Sequence, residues 1–267
     1  MRPLQPSATT PNVTWLAGGF CLEGVEATLL GPLRARAAEQ LRPQPCLQDP
    51  QAVAILQRLG CGTKLESTPG AYHRVAQRTS IIDRWVNEFL DAQPAGVVVE
   101  LGAGLNTRCE RISAGRGTWI ELDFPRVMRL RNHVLASLPH RRQIAASIAD
   151  AAWFAEIPAV PGPICFVAEA LLGYLPGPAV RWLLGELAQR FPEAVIIFDT
   201  HPDWCVVNGT GQDMALDTIV QWMPAFQLRD AVRMQATPTT ERHSMLTRFV
   251  SCPDADRVVE TKKRTIV

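Results

Sequence analysis

The spacing of hydrophobic residues changes near residue 96, and this change divides the chain into two parts. Before it, apolar residues recur three and four positions apart, which predicts amphipathic helices. Pro32 is expected to kink or restart the first helix. Proline, serine and threonine dominate residues 1–14, where we expect a flexible tail, followed by a helical cap over residues 15–95. The predicted helices of the cap cover residues 26–41, 50–59 and 75–89.

After residue 96 the apolar residues form short uninterrupted runs, and helical segments lie between them. Runs without polar alternation are typical of parallel strands that helices cover on both faces. Strand and helix alternate in this way in a doubly wound α/β sheet, which we predict for residues 96–267. The predicted strands are 97–101, 118–123, 164–168 and 194–199, with a weaker one near 143–146, and the predicted helices are 106–113, 125–138 and 178–191.

The pattern weakens beyond residue 200. A lid insertion is predicted at about residues 202–228, with a helix over residues 212–228. Residues 245–251 and 257–267 are predicted to form late strands that extend the edge of the sheet.

Composition and charge exclude several classes of protein. The 267 residues are 47% hydrophobic and 20% charged, which indicates a globular chain rather than a disordered one. The 27 basic and 26 acidic side chains nearly balance, so we expect neither nucleic acid nor a membrane surface as a partner. No apolar run approaches the ~20 residues of a membrane span. The seven cysteines include no C-x-x-C pair, which argues against a zinc site and favours reduced thiols in the cytoplasm.

A glycine turn follows the first predicted strand, in the segment VVVELGAGLNTR. Gly102 and Gly104 allow a sharp turn and a close approach of a ligand to the backbone. Thr107 stands where a dinucleotide fingerprint has its third glycine. Glu100 precedes the turn, and Asp123 ends the next strand, where a carboxylate can accept both hydroxyls of a ribose.

These residues leave two interpretations open. One is a nicotinamide or flavin enzyme, and the other is a class I methyltransferase that uses S-adenosylmethionine (SAM). The second is favoured, because a cofactor without a pyrophosphate does not need the close helix approach that the third glycine gives.

Three longer segments carry a more specific resemblance. VVVELGAGLNTRCERI, WIELDFPRVMRLR and FVAEALLGYLPGPAVRWLLGELAQRFP, in this order, resemble the leucine carboxyl methyltransferase superfamily. The sequence is most similar to its bacterial branch of tetracenomycin-type polyketide carboxyl O-methyltransferases. The resemblance covers roughly residues 26–200. It implies SAM as the cofactor, with S-adenosylhomocysteine as the product, in a Rossmann-like fold with a helical N-terminal cap.

The resemblance also implies roles for residues around the methionine moiety of SAM. Arg78, in VAQRTSIID, matches an arginine that pairs with the carboxylate of the cofactor, and Arg36 is a second cation. Glu169, in VAEALLGYL, matches a glutamate beside the methionine moiety and the methyl donor. Tyr174 lines the floor of the active site, where it would orient the acceptor.

Other residues are implied to hold the nucleoside. Gly102 and Gly104 pass beneath the cofactor, and Asp123 holds the ribose hydroxyls. Ser147 and Ile148 match an Asp-Leu pair that contacts the adenine in the phosphatase methyltransferases, so the serine is a departure that weakens this contact.

Three further positions depart from the family pattern. Asn106 replaces the aspartate of GxGLDTR and removes a charge beside the cofactor loop. Ala170 and Gly173 depart from the EGxLMYL pattern, which we expect to open the floor of the site to a larger substrate.

The predicted reaction is methyl transfer to a carboxylate of a small metabolite or modified peptide. A carboxylate has a pKa of about 4 and is already ionised, whereas a phenol with a pKa of about 10 needs a base. His201 follows the fourth predicted strand, at the sheet edge where doubly wound folds place their chemistry, and is the candidate to orient or deprotonate an acceptor. The alternatives are methylation of a phenolic oxygen or a nitrogen, and a non-catalytic relative that binds SAM or serves as a partner subunit. No metal is expected.

Overall fold

The computed structural model describes residues 13–61, 69–160, 162–200, 216–234 and 245–251. The first part of the chain contains β1 Val13–Trp15, β2 Cys21–Glu23, α1 Leu30–Gln40, α2 Pro50–Arg58 and α3 Pro69–Ala92. The second part contains β3 Val97–Leu101, α4 Arg108–Ile112, β4 Thr118–Asp123, α5 Pro125–Val134, β5 Arg141–Ala145, β6 Ile164–Ala168, α6 Gly177–Arg190, β7 Val195–Thr200, α7 Leu216–Trp222, β8 Phe226–Arg233 and β9 Met245–Ser251.

Seven strands form one sheet in the order β5-β4-β3-β6-β7-β9-β8. The five strands from β5 to β7 are parallel, and β9 pairs antiparallel with both β7 and β8. The chain runs outward from β3 to β4 and β5, then crosses back to β6 on the other side of β3. The strand order therefore reverses between β3 and β6, which is where doubly wound folds bind their ligands. The predicted α/β fold with a doubly wound sheet is confirmed.

Alternate residues of the central strands enter two different cores. Val97, Val99 and Leu101 pack in a cluster that also contains Phe166 and Trp153. The next residue of each strand faces the other side, as expected for apolar strands with helices on both faces.

Helix α3 covers that second face of the sheet. Ile82, Trp85 and Val86 of this helix are buried against Val98 of β3 and Cys165 of β6. The third helix of the cap is therefore a layer of the sheet domain as well as a part of the cap.

The remaining elements of the cap form a third core with the turn side of the sheet. Leu33 of α1 and Ile55 of α2 are fully buried together with Leu105, which follows the glycine turn, and Leu130 of α5. The cap thus rests directly on the segment that carries the predicted cofactor residues.

Several boundaries differ from the prediction. Pro32 lies in the first turn of α1, where its missing N–H breaks no helical hydrogen bond, and the chain before it forms a separate 3-10 turn over Gly24–Leu29. The hairpin of β1 and β2 was not predicted, because strands of three residues give too short a pattern, and it extends over the last residues assigned to the tail.

The predicted helix at residues 212–228 is wrong over its last part. Helix α7 ends at Trp222, because Pro224 disfavours helical backbone before it, and Phe226 begins β8. Residues 202–215 and 257–267 lie outside the described residues. Within the described ranges, no helix combines the length and apolarity needed to cross a membrane.

Arg131 of α5 holds the backbone of the turn between β3 and α4 in place. Its side chain is fully buried, and Nη1 donates hydrogen bonds to the carbonyl oxygens of Gly104 and Asn106, both at 2.8 Å. Its Nε donates to Oε2 of Glu121 on β4 at 3.1 Å. A buried guanidinium thus ties the backbone of the turn to the neighbouring strand.

We expect Arg131→Met to lower the free energy of unfolding by about 3 kcal/mol, because it leaves the buried Glu121 with the more distant guanidinium of Arg141, at 3.8 Å, as its remaining ion-pair partner. Urea unfolding monitored by tryptophan fluorescence measures the change. Arg129→Met on the exposed side of the same helix is the control, with an expected change within about 0.5 kcal/mol. Equal losses in the two variants would contradict the role assigned to Arg131.

Candidate active site

A cavity of about 200 Å³ opens at the carboxyl ends of β3, β4 and β6, below the N-terminal cap. It therefore lies where the strand order reverses. Its wall combines an apolar part from the cap with a polar part from the sheet edge. The lining residues that carry charge are Glu26, Arg36, Arg78, Glu100, Asp123 and Glu169.

The glycine turn forms one side of the cavity. Gly102 and Gly104 have φ angles of +64° and +47°, which favour glycine. A Cβ atom on Gly102 would lie 2.7 Å from Leu171, and one on Gly104 would lie 2.8 Å from Leu29. Both glycines are therefore needed for the close packing of leucine side chains as well as for the turn.

Asp123 stands at the end of β4, directly beside this turn. Its Oδ2 accepts a hydrogen bond from Gly104 N, and its Oδ1 accepts one from Phe124 N, both at 2.7 Å. Burial raises the pKa of the carboxyl above its ordinary value, and these two backbone donors oppose the shift. A carboxylate has about four acceptor positions, so lone pairs remain for a ligand's hydroxyl groups.

Apolar residues surround the cavity next to Asp123. Phe124 is 44% exposed, and its side chain lines the cavity with Val127 and Ile148. Ser147 is not among the lining residues, and its Oγ accepts a hydrogen bond from Ala149 N at 3.3 Å. Of the two residues predicted near the adenine, the structure places Ile148 at the cavity and leaves Ser147 beside it. Phe124 was not predicted, although its position after the ribose acid was visible in the sequence.

Glu169 follows β6 and is the centre of the polar part. Its Oε1 accepts hydrogen bonds from Arg78 Nε at 3.1 Å and from Thr79 Oγ1 at 2.6 Å. Its Oε2 accepts from Arg108 Nη2 at 2.5 Å and from Asn106 Nδ2 at 3.3 Å. Burial opposes ionisation, but Arg78 and Arg108 hold the pKa of Glu169 well below its ordinary value. The carboxylate is therefore charged at neutral pH.

Arg78 of α3 reaches the same part of the cavity. Besides its bond to Glu169, it donates from Nη1 to Oδ2 of Asp199, at the end of β7, at 3.1 Å. Asp199 also accepts a hydrogen bond from Ala170 N at 2.6 Å through Oδ1. Arg78 thus lines the cavity as predicted and is held there by two carboxylates of the chain itself.

Arg36 of α1 lies at the cap side of the cavity and is buried, with 2% exposure. Its Nε donates to Oδ2 of Asp49 at 2.8 Å, and its Nη2 donates to the carbonyl oxygen of Leu105 at 2.6 Å. The structure therefore brings both predicted cations to the cavity, and each is oriented by a buried acid.

Arg108 joins these groups to the sheet. Its side chain is 1% exposed, and it donates from Nε to Asp83 of α3 at 2.6 Å and from Nη1 to both oxygens of Glu100 on β3. Its third nitrogen reaches Glu169. Glu100 also lines the cavity, but both of its oxygens accept hydrogen bonds from Arg108. Arg108 lies in the GAGLNTR motif, and its role was missed because nothing in the sequence shows that it is buried.

Arg111 extends the network one turn further along α4. It donates to both oxygens of Asp83 at 2.9 and 3.0 Å, and to Asp49 at 3.1 Å. Asp49 caps α2 through Ala52 N, so the network also fixes the start of that helix.

The network has one more negative than positive group. This excess favours a cationic ligand, because buried charges are poorly screened by solvent. Burial raises the pKa of Glu100 and so opposes part of the excess. Four arginines face five carboxylates: Arg36, Arg78, Arg108 and Arg111 with Asp49, Asp83, Glu100, Glu169 and Asp199.

Two departures from the family pattern have visible consequences. Asn106 donates to Glu169 and accepts from Arg111, so the amide serves where an aspartate would repel the glutamate. Ala170 has a φ of +52°, in the region that favours glycine, and its methyl group adds volume where the EGxLMYL pattern has glycine. The expectation that Ala170 opens the floor is therefore wrong at this position.

Tyr174 and His201 are the residues predicted to orient or deprotonate the methyl acceptor, and the structure describes only the first. Tyr174 lines the cavity and is 39% exposed. His201 lies outside the described residues, so its predicted role stays a prediction.

We expect Ala170→Gly to raise the free energy of unfolding by about 1 kcal/mol. Glycine adopts the left-handed backbone without the strain that alanine has there, and this gain exceeds the cost of the greater entropy of glycine in the unfolded chain. Urea unfolding again gives the value. Ala188→Gly, in the regular backbone of α6, is the matched control and should lower stability by about 1 kcal/mol. A loss of similar size in both variants would refute the assignment.

The lowered pKa of Glu169 should make the stability of the protein depend on pH in a particular way. A carboxyl whose pKa is depressed in the folded state adds stability above its ordinary pKa of about 4.3, and this is lost as pH falls through the folded value. Glu169→Gln should therefore cost about 3 kcal/mol at pH 7, and the difference from the unaltered protein should shrink below about pH 4. Unfolding at several pH values tests this, with exposed Glu156→Gln as the control. A difference that widens in acid would contradict it.

Comparisons with known proteins agree with this geometry. The family model of leucine carboxyl methyltransferase matches residues 30–188. The tetracenomycin polyketide synthesis O-methyltransferase TcmP of Streptomyces glaucescens is 30% identical over 185 residues, which are 68% of this chain and 68% of that protein. A putative SAM-dependent methyltransferase of Mycobacteroides abscessus is 33% identical over 181 residues, 58% of each chain.

Among solved structures, the N-methyltransferase NodS of Bradyrhizobium japonicum WM9 in complex with S-adenosylhomocysteine aligns with a TM-score of 0.49 and 16% identity. The alignment covers 84% of this chain and 99% of that one. The family match alone covers more than half of the chain described here. The predicted enzyme class and cofactor, a SAM-dependent methyltransferase, are confirmed, and the chain belongs to the leucine carboxyl methyltransferase family.

Proposed function

We propose that this enzyme methylates a carboxylate oxygen of a small, largely apolar metabolite or modified peptide and forms a methyl ester. One observation carries the proposal. The cavity at the switch point combines an ionic part with an apolar part, and none of its described lining residues is a histidine or a lysine. Such a site suits an acceptor that arrives already ionised.

The residues present fit the cofactor, which supplies a methyl group on a positively charged sulfonium. Its ribose hydroxyls would be held by the remaining lone pairs of Asp123, and its adenine by Phe124 and Ile148. Its methionine carboxylate would be held by Arg78, with Arg36 nearby, and its ammonium group by Glu169. SAM bears two positive charges and one negative charge, which matches the excess negative charge of the buried network.

The acceptor would enter from the cap side. Val25, Leu29 and Pro32 supply apolar lining there, and Leu171 and Leu175 line the same cavity. Burial of an apolar acceptor against these side chains is favourable at about 25 cal/mol per Å². Tyr174, at the mouth, has a phenolic hydroxyl that would orient one carboxylate oxygen.

The residues of the chain then act mainly by placement. An ionised carboxylate presents its nucleophilic oxygen without a base, so transfer depends on in-line contact of the two reacting groups and exclusion of water. The leucines packed over the glycine turn supply an apolar surface that excludes water. The name of the Streptomyces relative, an O-methyltransferase of polyketide synthesis, supports an oxygen acceptor in a small metabolite.

Two other functions make different predictions. Methylation of a phenolic oxygen or a nitrogen requires a base, for which His201 is the candidate, and predicts a higher pH optimum and sensitivity to His201→Gln. A non-catalytic relative predicts binding of SAM without turnover. The departures at Asn106 and Gly173 favour that function only weakly, because Asn106 is accommodated by hydrogen bonds to its neighbours.

We expect Arg78→Ala and Asp123→Ala to abolish measurable SAM binding in calorimetric titration, while circular dichroism shows a folded protein. The first removes a cation for the carboxylate of the cofactor, and the second removes the acceptor for its ribose. Arg129→Ala, on the exposed side of α5, is the control and should bind normally. Undiminished binding in both site variants would overturn the assignment of these residues.

The chemical stability of the product identifies the acceptor atom. The enzyme is incubated with SAM labelled in the methyl group and a panel of apolar carboxylic acids, phenols and amines. We expect transferred label that mild alkali releases as volatile methanol, because methyl esters hydrolyse under these conditions and aryl ethers and N-methyl groups do not. Alkali-stable label would favour the phenol or nitrogen alternative, and intact SAM binding without transfer to any acceptor would favour the non-catalytic one.

A further inference from the structure

Three potential metal ligands, from α1, the segment before α2 and α3, meet within the cap. Glu39 is the next-to-last residue of α1, Cys46 lies in the segment before α2, and His73 lies near the start of α3. One ligand atom of each lies within 4.8 Å of the others. None of the three lines the cavity, so the proposed methyl transfer does not account for them.

The carboxylate of this group is buried and already oriented. Glu39 is 2% exposed, its Oε1 accepts a hydrogen bond from Cys46 N at 2.9 Å, and its Oε2 lies 2.9 Å from Nδ1 of His73. The side chain of His73 is 29% exposed and Cys46 is exposed, so solvent reaches the ligands from one side. Thiolate sulfur, imidazole nitrogen and carboxylate oxygen are each atoms that zinc binds in proteins.

We propose that Glu39, Cys46 and His73 bind a zinc-like divalent cation that fastens α1, the loop before α2 and α3 to one another. Bonds of about 2.0–2.3 Å place tetrahedral ligand atoms roughly 3.5 Å apart, so the longest separation must close by about 1 Å. The exposed thiol of Cys46 can make this movement by rotation of its side chain. Water from the open side completes the tetrahedron.

Binding requires the thiolate, so the S–H bond breaks, an S–metal bond forms, and the proton leaves to solvent. His73 binds through an unprotonated Nδ1, so its ring proton is carried on Nε2, and its contact with Glu39 Oε2 is exchanged for a bond from each atom to the metal. Partial desolvation and the neighbouring Glu39 raise the pKa of the Cys46 thiol to about 12, so the metal-free thiol is protonated. A divalent cation reverses this effect, because it neutralises the carboxylate that opposes ionisation. Arg42, whose Nε lies 3.7 Å from Glu39 Oε2, is half exposed and free to turn into solvent.

Nothing in the sequence indicates this site. It contains no C-x-x-C pair, and the three ligands are separated by 7 and 27 positions. Only the packing of α1 against α3 brings them together. The site would stabilise the cap and take no part in methyl transfer. The bound metal would hold α1 and α3 together, and these two helices also carry Arg36 and Arg78.

Cobalt binding tests the proposal with the full chain. Reduced, chelator-treated protein is titrated with Co²⁺, which gives a near-ultraviolet sulfur-to-cobalt absorption when a thiolate is a ligand. We expect one equivalent to produce this band and Zn²⁺ to abolish it by displacement. Cys46→Ser should remove the band, whereas Cys61→Ser, which alters another free cysteine outside the site, should leave it unchanged. His73→Ala should weaken cobalt binding at least tenfold.

Thermal unfolding gives a readout that does not depend on colour or activity. Zn²⁺ at a hundredfold excess over its Kd should raise the Tm of the unaltered protein by about 5 °C and leave that of Cys46→Ser unchanged. Absence of the cobalt–thiolate band, or its persistence in Cys46→Ser, would overturn the proposal. An equal Zn²⁺ effect on Tm in both proteins would do the same. SAM binding is measured separately, so failure of the metal site leaves the proposed function untouched.

Discussion

The bonds of one buried guanidinium, that of Arg108, determine how the cap meets the sheet. It reaches Asp83 on the helix that covers one face, Glu100 on the central strand and Glu169 beyond the neighbouring strand. Removal of one partner from such a group leaves an uncompensated charge in a poorly solvated interior, at a cost of about 3–5 kcal/mol. The cap is therefore restricted to one position on the sheet, more narrowly than apolar packing alone would restrict it.

The same network places the candidate binding groups at the edge of a rigid structure. Glu169 is shared between Arg108, which is sealed in the interior, and Arg78, which lines the cavity. An anionic group of a ligand must compete with Glu169 and Asp199 for the guanidinium of Arg78. A cationic group of the same ligand can then neutralise these two carboxylates. Ligand binding and cap docking thus involve the same charges, so each is expected to reinforce the other.

The sequence predicted well what depends on local pattern. Apolar runs located the five parallel strands to within a few residues, and the glycine turn with Asp123 placed one wall of the cavity. It could not show that Arg108 is buried, because a solvated arginine and a buried one look alike without their partners. The family resemblance named Glu169, but its partners Arg78 and Arg108 lie 91 and 61 positions away. Contacts between residues so far apart in the sequence follow from the fold and leave no periodic pattern in the sequence.

The order of these partners along the chain has a consequence for synthesis. The cap leaves the ribosome before the sheet does, with Arg78 and Asp83 on α3 still without their partners. Arg108 follows Asp83 after 25 residues, whereas Asp199 follows Arg78 only after 121. Until then, water keeps this polar side of the helix solvated, since its burial without countercharges is unfavourable. We therefore expect the polar side of α3 to dock late, once β7 has supplied Asp199.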